Sequence, residues 1–264
     1  MKLFTVDVFT HKPFQGNPAG VCILDNAISK QLCLLIAREI NYSETAFVLK
    51  QSNNSYRISW FTPKTEVDLC GHATLAAAKI LYEKYPLDST LPITFQSKKG
   101  KLTAKKYGEK IELNFPQLFT QPVASHKIIE KGFGFTPKYI GRDSIRYLIE
   151  IDNNVQIEAI QPDFQILAQD SLGRFTITAK TDNKRFDFKS RHFAPKVGVL
   201  EDPVTGSSHC YLAPYWAKKL NKNCLVGFQA SERGGVVECE LIENERVLLR
   251  GESVIMHELK LLYR

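Results

Sequence analysis

Apolar and polar residues alternate along much of this chain, and a few runs of helical spacing interrupt the alternation. Alternation predicts strands, because successive side chains of a strand point to opposite faces. In the first half the predicted strands are 3–9, 21–24, 44–49, 56–61, 93–95, 102–106 and 110–114. In the second half they are 146–151, 155–160, 175–179, 186–194, 228–230, 235–242 and 246–250.

Three longer helices are predicted at 29–40, 73–85 and about 208–220, with a short one at 163–170. The first is amphipathic: its apolar face holds Leu32, Leu35 and Ile36, and Asn41 is its expected stop. The second carries four alanines, which permit close approach of neighbouring backbones. Residues 13–20 are rich in turn-forming residues and predict a loop.

Residues 115–122 predict a hinge, because they hold two prolines and show no periodicity. The predicted domains are an N-terminal lobe, 1–115, and a C-terminal lobe, 116–264. Aligning Cys70-Gly71-His72 with Thr205-Gly206-Ser207 places a strand before and an apolar helix after each motif, which suggests an internal duplication. The predicted fold class is α+β: two similar lobes, each a mixed β-sheet curled around a central α-helix, with the active site in the cleft between them.

Both aligned motifs place a glycine where a helix begins. The first N–H groups of a helix have no intrahelical partner, and with the helix dipole they favour a bound anion. Gly71 would let a ligand approach the backbone, while Gly206 and Ser207 would offer N–H groups and a hydroxyl. The two helix starts predict a site that holds a carboxylate or an oxyanion.

Composition excludes several classes of protein. The 264 residues are 44% apolar and 24% charged, which is ordinary for a globular chain. The net charge of +7 mildly favours anionic ligands, but the basic residues are scattered, so no nucleic-acid partner is expected. The longest uninterrupted apolar run, 32–37, is too short for a bilayer, and the N-terminus does not resemble a signal peptide. We expect a cytoplasmic protein with no membrane partner.

The cysteines stand at 22, 33, 70, 210, 224 and 239 and form no Cys-x-x-Cys pair, so reduced thiols are expected. Zinc-ligand types occur at Cys70, His72, His209 and Cys210. Neighbouring helical residues point about 100° apart, so His209 and Cys210 cannot easily bind the same ion. No metal site is predicted.

Glu44 is the candidate acid–base group, because the apolar residues that follow it would place its carboxyl at the rim of a hydrophobic pocket. Desolvation raises the pKa of a glutamate towards neutrality, where it can both take and return a proton. The simpler alternative is a solvated glutamate at the end of a strand.

His72 and Asp202 are candidate substrate-binding groups with structural alternatives. His72 could hydrogen-bond a substrate, relay a proton or simply pack near a helix start. Pro203 keeps Asp202 extended, so its carboxylate could cap nearby N–H groups or hold an amine or hydroxyl of a ligand. The chain lacks dinucleotide, P-loop, nucleophile-elbow and His-Glu-x-x-His motifs, so an enzyme without a cofactor is expected.

Several motifs, in order along most of the chain, resemble one family. They are Phe14-Gln15-Gly16-Asn17-Pro18-Ala19-Gly20-Val21, Asn41-Tyr42-Ser43-Glu44-Thr45-Ala46-Phe47, Trp60-Phe61-Thr62-Pro63, Cys70-Gly71-His72-Ala73-Thr74 and Glu201-Asp202-Pro203-Val204-Thr205-Gly206-Ser207. Together they are similar to the motifs of the PhzF family of phenazine-biosynthesis-like isomerases. The turn at 229–235 matches that family less closely.

The resemblance implies a diaminopimelate-epimerase-like fold, a homodimer, and isomerisation without a cofactor. In the phenazine enzyme of the family a glutamate shifts a proton along trans-2,3-dihydro-3-hydroxyanthranilate, and Glu44 occupies its place. The implied substrate is therefore a small anionic metabolite of the cyclic hydroxy-amino-acid type. Its implied contacts are Gly71, His72, Asp202, Gly206 and Ser207.

Distant relatives of this fold racemise amino acids with two cysteines, one in each lobe. Cys70 stands at the first of these positions and Thr205 at the second, and a threonine hydroxyl is too weak an acid for that task. A proton shift across one face needs a single base, so an isomerase is favoured. The alternatives are an epimerase or racemase of an amino-acid-like substrate and a catalytically silent binding protein on the same fold.

Overall fold

The computed structural model describes residues 1–124, 126–152 and 156–262. It divides the chain into two compact units, Met1–Asn114 with Leu248–Arg264, and Phe115–Val247. No helix among the described residues is long and apolar enough to cross a bilayer.

The elements of the first part of the chain are two helices and eight strands. They are β1 (Lys2–Val8), β2 (Asn17–Leu24), α1 (Lys30–Ile40), β3 (Glu44–Ser52), β4 (Ser55–Phe61), β5 (Glu66–Val67), α2 (Gly71–Lys84), β6 (Ile93–Ser97), β7 (Gly100–Tyr107) and β8 (Lys110–Pro116), all within the described residues.

The described residues of the remaining chain form three helices and ten strands. They are β9 (Gln121–Pro122), α3 (Lys127–Phe133), β10 (Tyr139–Arg142), β11 (Tyr147–Glu150), α4 (Phe164–Leu167), β12 (Phe175–Lys180), β13 (Phe188–Ala194), β14 (Val199–Asp202), α5 (Gly206–Leu220), β15 (Cys224–Gln229), β16 (Gly235–Ile242), β17 (Arg246–Gly251) and β18 (Ser253–Lys260). Short 3-10 turns occur at Ile157–Ala159 and Pro195–Val197.

The first unit is a mixed sheet in the order β18-β1-β2-β3-β4-β6-β7-β8. Its parallel pairs are β2–β3, joined through α1, and β4–β6, joined through α2. Helix α2 packs against β1, β2, β3, β7 and β18, so the sheet curls around it. The alanines at 73, 76, 77 and 78 are fully buried, as expected for a helix enclosed by strands at close range.

The second unit repeats this topology. Its sheet order is β9-β10-β11-β12-β13-β15-β16, with parallel pairs β11–β12 and β13–β15. The second crossover runs through α5, whose side chains are mostly buried against β15 and β16. Short β14 pairs with β13 just as β5 pairs with β4. The prediction of two similar α+β units, each built from a mixed sheet and a central helix, is confirmed.

Local signals in the sequence explain the first helix. The Ser29 hydroxyl accepts the N–H of Leu32 at 3.2 Å, and Asn41 ends the helix in the left-handed conformation at φ 54°. The expected apolar face is partly wrong, because the Leu35 side chain is 52% exposed. The buried face consists of Cys33, Ile36 and Ala37.

Other sequence predictions need correction. Residues 17–20 form the start of β2 and pair with β1, although their composition predicted a loop. In place of the strand predicted at 155–160, the structure has the 3-10 turn Ile157–Ala159; Val155 lies outside the described residues. The described residues from 248 to 262 group with the first unit, because β18 pairs with β1, whereas the predicted boundary assigned them to the C-terminal lobe.

Gly16 is required by the turn between β1 and β2. Its φ is +68°, and a Cβ atom there would lie 2.1 Å from the carbonyl oxygen of Val8. Gly108 has a similar φ of +58°, but a Cβ atom there would meet nothing within 4 Å. A side chain at either position would strain the backbone, but only at Gly16 would it also clash with a neighbouring atom.

We predict that Gly16→Ala destabilises the protein more than Gly108→Ala does. The left-handed conformation costs an alanine about 1–2 kcal/mol at either position, and overpacking adds about 1–3 kcal/mol at Gly16 alone. Chemical denaturation of the two variants and the parent protein measures both losses. Equal losses of unfolding free energy would contradict the clash at Val8.

Candidate active site

The parallel strands β2 and β3 bring the candidate acid–base group to the start of α2. Glu44 is the first residue of β3 and lies beside Ala19 of β2. Helix α2 begins at Gly71, and Cys70 is its N-cap residue. The carboxyl group of Glu44 lies at this helix start, with its Oε2 atom 3.4 Å from Nε2 of His72.

Glu44 is largely enclosed by the first unit. Its side chain is 22% exposed and that of His72 is 7% exposed. Burial raises the pKa of Glu44, while hydrogen bonds with Ser43 and Cys70 oppose the shift without cancelling it. The expected desolvation of this carboxyl agrees with its burial, while its place at the rim of a hydrophobic pocket stays a prediction. A solvated glutamate at a strand end does not match this burial.

Polar groups surround the His72 ring. The Ser43 hydroxyl donates to Oδ1 of Asn17 at 3.4 Å. The Ser43 Oγ atom also lies 3.3 Å from Nε2 of His72. Nε2 of His72 thus faces both the Ser43 hydroxyl and the Glu44 carboxyl group. Nδ1 lies 3.5 Å from Sγ of Cys70, so both ring nitrogens have a polar neighbour.

Asn17 and Ser43 are site residues to which the sequence analysis assigned no role. Asn17 is fully buried and lies at the first position of β2, so its amide is fixed by the sheet. It holds Ser43, which in turn contacts His72. Both residues belong to motifs that carry the family resemblance, and that was the available signal.

The same cluster contains the donor atoms that could hold a metal ion. One ligand atom each from Glu44, Cys70 and His72 lies within 4.8 Å of the others. Among the described residues, this is the group of three possible metal ligands that lie close together. It differs from the set of cysteines and histidines that the sequence analysis weighed, because it includes Glu44 and lacks His209 and Cys210.

The second unit fixes its own helix start through Asp202. Asp202 ends β14 in an extended conformation, and its carboxylate accepts the Thr205 hydroxyl at 2.5 Å. Thr205 is the N-cap residue of α5, as Cys70 is of α2, so the alignment of these two positions is supported by the fold. Gly206 is buried, and Ser207 is exposed in the first turn.

Two further residues organise this helix start, and sequence reasoning missed both. The buried Gln229 accepts the N–H of Thr205 at 2.8 Å and donates to the carbonyl of Asp202 at 2.7 Å. Arg146 donates to the carbonyl of Ser207 at 3.4 Å, which brings a guanidinium group to the first turn of α5. The nearby His209 is fully buried, which lowers its pKa to about 4, and its Nδ1 lies 2.9 Å from the carbonyl of Thr205.

Of the residues predicted to form the site, the structure brings together Glu44, Gly71 and His72 in the first unit. It places Asp202, Gly206 and Ser207 together in the second unit. The start of α2 has no side-chain cap from Cys70, and the start of α5 has none from Thr205. Each helix start has the polarity that favours an anion.

Comparison with known proteins identifies the family. The family model described as PhzC-PhzF, phenazine biosynthesis-like protein, matches residues 6–258. The chain belongs to the PhzC-PhzF family. It is 46% identical to an uncharacterized isomerase of Halalkalibacterium halodurans, over 98% of each chain. It is also similar to the crystal structure of a PhzF-family protein from Enterococcus faecalis, with a TM-score of 0.92 and 36% identity over 98% of this chain and 99% of that one.

More distant structures support the fold. A probable proline racemase from Agrobacterium radiobacter matches with a TM-score of 0.61 at 10% identity, covering 100% of this chain and 93% of that one. At this identity the match shows architecture alone. It agrees with the diaminopimelate-epimerase-like fold that the PhzC-PhzF motifs imply.

The raised pKa of Glu44 predicts a pH-dependent effect of Glu44→Gln on stability. A carboxyl whose pKa rises on folding contributes stability below its usual value of 4.5, and this contribution is lost as the pH rises through the folded pKa. Because glutamine has the shape of the protonated acid, we expect Glu44→Gln to stabilise the protein at neutral pH and to have no such advantage below about pH 4.

Glu66→Gln is the control, because its effect on stability at neutral pH should have the opposite sign. Glu66 is desolvated too, but hydrogen bonds and charges from Lys98 and Lys30 outweigh this and lower its pKa. Its contribution to stability is present above 4.5 and is lost as the pH falls through the folded pKa. Urea denaturation from pH 3.5 to 7.5 measures both variants. If Glu44→Gln lowers the unfolding free energy at neutral pH as Glu66→Gln does, the desolvation of Glu44 is refuted.

Proposed function

We propose that the protein is a cofactor-independent isomerase that moves a proton on a small carboxylated metabolite, with Glu44 as the proton shuttle. The observation that carries this proposal is the Glu44 carboxyl group at the start of α2, largely enclosed and 3.4 Å from His72. Membership of the PhzC-PhzF family and the isomerase name of the Halalkalibacterium halodurans relative support the reaction class.

The reaction would use Glu44 twice. Its carboxylate removes a proton from a substrate carbon, and the electron pair of the broken C–H bond moves into an adjacent double bond. The resulting carboxylic acid then returns the proton to another carbon, so the product is an isomer and the enzyme is regenerated. A raised pKa suits this task, because it brings the proton affinity of the carboxylate closer to that of the reacting position.

The start of α2 would stabilise the negative charge that develops on the substrate. Gly71 opens the helix and permits a close approach to its backbone, and the helix dipole favours an anion there. His72 would hydrogen-bond the substrate or hold the Glu44 carboxylate in place through Nε2. Substrate contacts by Asp202, Gly206 and Ser207 stay a prediction based on the family resemblance.

An isomerase fits the N-cap residues better than a racemase. Inverting a stereocentre requires a base on each face, and the two N-cap positions hold Cys70 and Thr205. The Thr205 hydroxyl donates to the Asp202 carboxylate, and its oxygen also accepts from Gln229, so it is used in fixing the helix start. A single carboxylate can move a proton across one face without this residue.

We predict that Glu44→Gln abolishes proton transfer while Cys70→Ser is mild. Removal of a general acid–base group costs about 10²- to 10⁴-fold in rate, whereas the thiol is not needed for a shift across one face. Proteins are incubated in D₂O with cyclic hydroxy-amino acids that include trans-2,3-dihydro-3-hydroxyanthranilate. Mass spectrometry then measures deuterium at carbon.

Retained folding of both variants is checked by circular dichroism. If Cys70→Ser is as inactive as Glu44→Gln, the chemistry is that of a cysteine-dependent epimerase. If the parent protein incorporates no deuterium across the panel, the catalytically silent binding protein is favoured instead.

A further inference from the structure

The donor types at the start of α2 match the ligand preferences of zinc. Cys70 supplies a thiol, His72 an imidazole and Glu44 a carboxyl group, and all three are common zinc ligands. Sites with three protein ligands leave a fourth position for water or another small ligand. The cluster is enclosed on the protein side, since Cys70 is 6% exposed, and it is open at Glu44.

The distances between the donors bring them within reach of a single metal ion, and one pair already has the separation of a tetrahedral site. With zinc bonds of about 2.0–2.3 Å, tetrahedral angles place N and O ligands about 3.4 Å apart and N and S ligands about 3.6 Å apart. Nε2 of His72 lies 3.4 Å from Oε2 of Glu44 and 4.0 Å from Sγ of Cys70. The His72–Glu44 pair therefore already has the separation of a tetrahedral site, whereas the thiol, which lies nearer to Nδ1 at 3.5 Å, must move towards Nε2 to bind the same ion.

The charges of the site also suit a divalent cation. As ligands, Cys70 and Glu44 each carry a full negative charge, which together balance a charge of +2. The helix start opposes a cation with only about half an elementary charge. Binding releases the thiol proton to solvent, and the His72 ring takes the tautomer protonated at Nδ1, so that Nε2 can bind the metal.

We propose that Glu44, Cys70 and His72 bind Zn²⁺ and that the bound ion inhibits the protein. A Glu44 carboxylate that coordinates zinc cannot accept a substrate proton, so binding and proton transfer are mutually exclusive. The inhibition rests on the proposed function, whereas the binding site itself does not.

Cobalt provides a direct spectroscopic test of the ligands. Metal-free protein is titrated with Co²⁺, and near-ultraviolet absorption reports charge transfer from a thiolate to the cobalt ion. We expect one equivalent to saturate the signal and Zn²⁺ to displace it. Cys70→Ser should lose the signal, and Glu44→Gln should weaken Zn²⁺ binding by more than about tenfold, as measured by calorimetry.

Cys224→Ser is the matched control, because Cys224 is the exposed thiol among the described cysteines and lies in β15. Its Co²⁺ spectrum and Zn²⁺ affinity should equal those of the parent protein. A thiolate signal that survives Cys70→Ser, or one that disappears with Cys224→Ser, overturns the site. Glu44→Gln tests the same site independently if Cys70→Ser does not fold.

Isotope exchange tests the inhibition. In the parent protein, Zn²⁺ should stop deuterium incorporation at the concentration that saturates binding, and EDTA should restore it. Exchange that continues with zinc bound, or that increases, overturns the inhibitory role. A parent protein that binds zinc but shows no exchange in the metal-free state supports the site and counts against the proposed function.

Discussion

The cost of holding the Glu44 carboxylate away from bulk water determines the properties of the site in the first unit. Desolvation raises its pKa, and hydrogen bonds with Ser43 and Cys70 offset only part of this effect. The contact with His72 adds a ring that is itself held by Ser43 and Cys70. The pKa of the carboxyl group therefore stays raised, because its surroundings stabilise the charged form incompletely.

Duplicated topology gives two similar helix starts, and local chemistry makes them different. Cys70 at the start of α2 lies in a cluster with an acid and an imidazole. At the start of α5, Thr205 donates its hydroxyl hydrogen bond to the Asp202 carboxylate and its backbone N–H to the Gln229 amide oxygen. One helix start thus has an acid, a thiol and an imidazole beside it, while the other is fixed by a network of hydrogen bonds. The fold permits this asymmetry, because each helix start is built within its own unit.

Local signals allowed much of this structure to be predicted. The cap residues Ser29 and Asn41 set the limits of α1, and the glycine at position 71 marked the start of α2. The sequence pattern did not reveal pairing between segments distant in the chain. Residues 17–20 have the composition of a turn, yet they form a strand that pairs with β1. The pairing of β18 with β1 joins opposite ends of the chain. Asn17 and Gln229 were missed for the same reason, since their roles depend on partners distant in sequence.

The proposed acid–base site and the proposed metal site share the Glu44 carboxyl group. The carboxyl group lies beside a thiol and an imidazole, and one ligand atom of each lies within 4.8 Å of the others. A site without the thiol would offer a metal ion only two of these donors. Cys70 nevertheless occupies the N-cap position, where its carbonyl accepts the Thr74 hydroxyl at 2.6 Å and its side chain is buried. A serine there would keep this carbonyl acceptor and remove the thiol, so the hydrogen bond at the helix start does not depend on the sulfur.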